Sequence, residues 1–159
     1  ANRRAVFVGN YTYSKSKLKV AADDPVQAFP FTGATLASQF FRDGAPLTGQ
    51  SDHLANVEFG LEDTERLSQQ TILISYASDR ITRRGPSGQP DIFEKPGIQL
   101  DFVARQGFPV FGKELEMKFE ARNILGTKYK EMQQCGANTI FYNLYKPGTT
   151  FSLGASLKF

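Results

Sequence analysis

Apolar and polar residues alternate with a period of two along most of the chain, and helical spacing is hard to find. Such alternation marks strands whose two faces meet different environments. From Ala5 to Val20, Phe7, Gly9, Tyr11 and Tyr13 oppose Val6, Val8, Asn10, Thr12 and Ser14. From Ser51 to Leu61, Ala55, Val57, Phe59 and Leu61 oppose Leu54, Asn56, Glu58 and Gly60. Ile72, Ile74 and Tyr76 alternate within Leu67 to Arg80, and Ile98, Leu100, Phe102 and Ala104 within Gly97 to Gln106. The last two segments are the clearest. Leu115, Met117, Phe119 and Ala121 oppose the charged row Glu114, Glu116, Lys118, Glu120 and Arg122. Phe151, Leu153, Ala155, Leu157 and Phe159 oppose Thr150, Ser152, Gly154, Ser156 and Lys158. The pattern predicts an all-β, antiparallel up-and-down meander of about six strands.

The connections alternate in length. Long ones are expected at 21–49, 81–95 and 123–139. Short ones are expected around Glu62 to Arg66 and from Gly107 to Gly112. In a meander, alternate connections share an end, so the long segments gather at one end and the tight turns at the other. Transmembrane β-barrels have this asymmetry, and a tilted spanning strand needs about 9–11 residues. Tyr11, Tyr13, Tyr76, Phe151 and Phe159 fall towards strand ends, where interfacial girdles sit. A soluble β-sandwich also alternates, so the pattern alone does not choose the solvent.

Composition removes several classes of function. Lys and Arg number 19 against 16 Asp and Glu, a net charge of +3 too small and scattered to indicate nucleic acid. No apolar run reaches the 18 residues of a spanning helix. One cysteine, Cys135, permits no internal disulfide and is expected to be an inconsequential loop thiol. One cysteine and one histidine, His53, give no metal-ligand spacing, and no metal or other cofactor is expected. There is no phosphate-binding loop, dinucleotide fingerprint or nucleophile triad, so the chain is not expected to be an enzyme. Asp91 and Glu94 could form a carboxylate pair, but Pro90 and Pro96 beside them predict an exposed loop. Asn10-Tyr11-Thr12 matches a glycosylation sequon only by accident of a strand. The opening Ala-Asn-Arg-Arg has no signal-peptide core and reads as the middle of a longer protein.

The ending TFSLGASLKF resembles the terminal strand of Gram-negative outer-membrane proteins, with Phe151, Leu153, Leu157 and Phe159 in register as the signal for barrel assembly. More specifically, five segments resemble the C-terminal part of a TonB-dependent outer-membrane receptor. They are NYTYSKSKL (10–18), PLTGQSDHLANVEFGLED (46–63), LDFVARQ (100–106), ELEMKFEARNILGTKYKE (114–131) and YNLYKPGTTFSLGASLKF (142–159). The resemblance implies a slice of a plugged barrel of roughly 22 strands, spanning residues 1–159 and lacking the plug. It implies a cell outer membrane location. Its partners would be outer-membrane lipid, the assembly machinery, the rest of the receptor, and TonB through the plug. The implied function is energised uptake of a siderophore, carbohydrate or similar nutrient, without catalysis.

On that reading the long loops face outward. Phe40, Phe41, Arg42 and Asp43 form an aromatic and charged cluster in the first, and Arg80, Arg83 and Arg84 a basic cluster in or beside the second. Guanidinium groups suit anionic ligands through paired charge-assisted bonds. These residues are the candidate ligand contacts. The charged row from Glu114 to Arg122 would line a hydrated wall. A six-stranded slice leaves two unpaired edges, so the isolated chain is expected to self-associate. Two alternatives remain open. A small self-contained outer-membrane barrel would need about eight strands, two of them hidden in 21–49. A soluble lipocalin-like barrel would turn the apolar faces inward.

Overall fold

The computed structural model describes residues 3–26, 35–85 and 89–158. The described strands are β1 (Arg3–Tyr13), β2 (Pro25–Val26), β3 (Thr35–Leu36), β4 (His53–Asp63), β5 (Ser68–Ala77) and β6 (Arg80–Arg83). They continue with β7 (Ile92–Glu94), β8 (Gly97–Val110), β9 (Lys113–Arg122), β10 (Tyr129–Cys135), β11 (Asn138–Tyr145) and β12 (Thr150–Lys158). One short 3-10 turn, Ala37–Gln39, follows β3. No helix among the described residues is long and apolar enough to cross a membrane.

The main sheet has six strands in the order β1-β4-β5-β8-β9-β12, every neighbouring pair antiparallel. The chain is therefore an all-β meander. A second sheet has the order β11-β10-β7-β6. It repeats the order of four strands of the first. After short breaks, β5 continues as β6, β9 continues as β10, and β7 and β11 lead into β8 and β12. The wall is thus prolonged at the end where the long connections lie. This corrects the expectation of loops at 81–95 and 123–139. Ile92–Glu94 and Tyr129–Cys135 pair with each other and with β6 and β11. Their strands are short and their alternation is broken, with register shifts at Glu131/Met132 and Ile81/Arg83, so period two does not show in the sequence.

Two other boundaries differ. The first strand was expected to run to Val20, but its ladder ends with Tyr13 opposite His53. The turn expected at 107–112 shrinks to two residues. Val110 pairs with Lys113, and Phe111 and Gly112 have φ of 51° and 74°. Positive φ at both positions is the hairpin geometry that matches strand twist. Gly107 therefore lies within β8. A Cβ there would fall 3.0 Å from that of Leu67, and the Gly107 amide donates to the Leu67 carbonyl at 2.8 Å. Glycine at 107 lets the β4–β5 turn approach closely rather than making a turn itself.

Register aligns the side chains into rows. One face carries Phe7, Phe59, Ile72, Phe102, Ala121 and Phe151 across all six strands. The other carries rows such as Asn10, Asn56, Ser75 and Gln99. The apolar face is the open one. Phe7 is 71% exposed, Phe151 66% and Leu153 71%, whereas Thr71 on the polar face is 7% exposed. Glu58, Asp101, Lys118 and Glu120, also on that face in the middle strands, are half-buried, whereas its row Asn10, Asn56, Ser75 and Gln99 is exposed. Among the described residues only Ala45, Ala121 and Met132 are buried apolar side chains. Phe7, Phe59, Ile72, Ile74, Phe151 and Leu153 of the apolar face are exposed, so no second sheet among the described residues covers them. A β-sandwich would bury its apolar rows between two sheets; this chain does not.

Candidate functional site

The long segments meet at the prolonged end of the wall. Asn123 closes the base of the third. Its backbone is left-handed, with φ of 52°, and its amide nitrogen donates to the carbonyls of Thr127 (3.1 Å) and Gly148 (2.9 Å). Its side-chain oxygen accepts from the Thr127 amide at 2.9 Å, and its own amide donates to Asp101 Oδ1 at 2.8 Å. Asparagine suits this position because its short polar side chain tolerates left-handed backbone and bonds locally. From there β10 and β11 rise as a hairpin, with Tyr129 stacked on Tyr145 at 4.7 Å.

Glu131 is the polar centre of the second sheet. It is 3% exposed. The Thr82 hydroxyl of β6 and the Asn143 amide of β11 donate to its two oxygens, each at 2.5 Å. These donors, the Thr82 hydroxyl foremost and then the Asn143 amide, hold the carboxyl below the usual range, with the Arg83 charge adding to them against the opposing effect of burial. Tyr129 is pushed upward, first by burial and then by the charges of Glu94 and Glu131. Glu94 is itself buried and bound to Arg80 at 2.8 Å. The exposed-loop expectation for Glu94 is thereby corrected. It lies on β7, and its charge is matched by that of Arg80. Asp91 is half-buried, accepting from Arg84 at 2.9 Å and from the Gly85 amide at 3.0 Å.

A cleft of about 800 Å³ opens beside these groups. The first segment lines it with Phe40, Phe41 and Arg42, the second with Arg84 and Phe93, and the third with Cys135. The structure thus brings together four of the residues singled out in the sequence, Phe40, Phe41, Arg42 and Arg84. Arg84 also donates to the Pro46 carbonyl, tying the second segment to the first. Arg80 and Arg83 do not line the cleft. Arg80 faces Glu94, and Arg83 lies over the Tyr142 ring at 4.7 Å while donating to its hydroxyl at 2.7 Å. Cys135 ends β10 and is exposed at the cleft rather than in a loop. Sequence reasoning missed Phe93, Thr82, Glu131 and Asn143. A signal existed only for Glu131, as the charged end of the ELEMKFEARNILGTKYKE segment.

The other residues fall on the wall. Phe151, Leu153 and Leu157 share the open apolar face of β12, opposite Ala121, Phe119 and Leu115. Phe159 lies outside the described residues, as do residues 27–34 of the 21–49 stretch where two hidden strands were considered; the described part of that stretch holds only the two-residue strands β2 and β3, paired with each other and not with the main sheet. On the polar face Lys118 and Arg122 flank Glu120, the latter at 3.3 Å. No cluster of three or more His, Cys, Asp or Glu among the described residues is arranged to hold a metal. A second cleft, about 500 Å³ among Arg3, Arg4, Glu62 and Arg66, lies at the opposite end. Compared with family models, curated proteins and solved structures, the chain matches none.

Proposed function

We propose that this chain forms the C-terminal barrel wall of a TonB-dependent outer-membrane receptor, a non-enzymatic component of energised nutrient uptake. One observation carries the reading: the sheet leaves large apolar side chains such as Phe7, Phe59, Ile72, Phe151 and Leu153 open on one face, while on the other its middle strands shelter polar and charged groups such as Glu58, Thr71, Asp101 and Glu120. In water that arrangement forfeits apolar burial, at roughly 25 cal/mol for each Å² left exposed. Against acyl chains the same face is at home, and the polar rows line an enclosed, hydrated space. Lipid offers no partner for backbone groups, so the two free edges are then closed by the rest of a barrel. The resemblance of the five segments supplies the family. The cleft among the long segments is the ligand-contacting surface, with Phe40, Phe41 and Arg42 offering rings and a guanidinium to a siderophore, carbohydrate or similar nutrient.

The test uses the chain reconstituted in phospholipid vesicles, with Cys135→Ser and a single spin label. A label in place of Leu153 is expected to meet oxygen dissolved in the acyl region. One in place of Ser152 is expected to meet an aqueous nickel chelate. Equal accessibility at both positions, or the reverse assignment, overturns the membrane reading.

A further inference from the structure

Beyond β1 the chain stays pinned to the 43–52 segment although the β1–β4 ladder has ended. Ser14 donates from its amide to the Asp52 carbonyl at 3.0 Å, and the Leu18 amide to the Ala45 carbonyl at 2.7 Å. The Leu47 amide donates to Ser16 Oγ at 2.9 Å, and the Val20 amide to Asp43 Oδ1 at 2.9 Å. Exposure alternates along this pinned stretch. Ser14, Ser16, Leu18 and Val20 are half-buried, and Lys15, Lys17 and Lys19 are exposed. The lysines follow along the chain directly on Phe7, Gly9, Tyr11 and Tyr13, the apolar face of β1. They begin where that face ends in an aromatic cluster. The Tyr13 ring lies 5.2 Å from that of His53, and the Tyr11 hydroxyl 2.8 Å from His53 Nδ1. None of the three lysines makes an ion pair among the described residues. The nearby Asp43 carboxylate accepts from the Val20 amide through Oδ1.

We propose that Lys15, Lys17 and Lys19 form a docking row for the phosphate-bearing headgroups of an anionic lipid surface. This rests on the membrane reading above. Lys15, Lys17 and Lys19 take the exposed alternate positions of the pinned stretch, so three ammonium groups lie together where the apolar band of β1 ends. A cation just outside the acyl region meets headgroup phosphate, and the aromatic belt fixes its depth. Continuity with the apolar face selects a lipid surface over a soluble polyanion.

The experiment measures binding of the full 159-residue chain to two kinds of vesicle. One is phosphatidylcholine alone, the other phosphatidylcholine mixed with phosphatidylglycerol. Lysines near such a surface contribute about fivefold each, so replacing all three by glutamine is expected to reduce the preference for anionic vesicles roughly a hundredfold. Binding to the neutral vesicles stays unchanged. A control replaces Lys128, Lys130 and Lys146 by glutamine, removing equal charge elsewhere, and is expected to keep the preference. A preference that survives K15Q/K17Q/K19Q, or falls equally in the control, overturns the lysine row while leaving the membrane reading intact. Failure to enter either vesicle overturns both.

Discussion

Asn123 illustrates what one side chain contributes. It stands in the ARNIL motif that carried the resemblance, and its role there is local: a left-handed backbone and three side-chain hydrogen bonds that close a long excursion of the chain. Asn123→Ala removes those bonds and leaves the Thr127 amide without its acceptor. The expected cost is about 2–4 kcal/mol, read as faster amide exchange through β10 and β11. Glu131 makes a prediction in pH. Its folded carboxyl is held below the ordinary value of 4.5, so the folded state favours the ionised form. Its contribution is complete above that ordinary value and is lost as pH falls through the lowered folded one. Amide protection in β10 and β11 is expected to hold at neutral pH and decline only in acid. Glu131→Gln, which cannot ionise, is expected to flatten that decline. An unchanged acid profile in the variant would remove Glu131 as the cause.

At the scale of elements, the two faces of a strand obey different rules. Leu153 and Ser152 are neighbours in β12 with opposite outlooks: Leu153 lies opposite Phe119 on the apolar face and Ser152 opposite Glu120 on the polar one. In a bilayer, Leu153→Lys is expected to cost about 2–4 kcal/mol if it sits near the midplane, while Ser152→Lys beside Glu120 costs little. Equal effects of the two substitutions on folding into vesicles would contradict the face assignment. The six long strands were legible because each runs for nine residues or more and carries a stretch of period-two alternation. β6 and β7 were not legible, being four and three residues long. β10 and β11 were obscured by the shift at Glu131 and by apolar residues on both faces of β11, Phe141 and Tyr142 among them. The candidate cleft was legible as two clusters, Phe40 to Arg42 and Arg80 to Arg84. Which arginine turned to it depended on Glu94 and Tyr142, partners that engage Arg80 and Arg83.

For the whole molecule, β1 and β12 each have a hydrogen-bonded neighbour on one side only within the main sheet. Unpaired edges beside a wide apolar face favour association. In detergent-free buffer the chain is expected to self-associate, measured by light scattering. A monodisperse monomer there would count against it. Period-two alternation by itself determined the six long strands and the segregation of apolar from polar residues along them, because each depends on near neighbours along the chain. Only the tertiary structure decided the rest. It sheltered polar groups of the middle strands such as Glu58, Thr71 and Asp101, extended four strands into a second sheet, and brought Phe41, Arg84 and Cys135 to one cleft from three distant segments. Those outcomes depend on cross-strand register and on pairings such as Thr82 with Glu131, 49 residues apart, which no local pattern encodes.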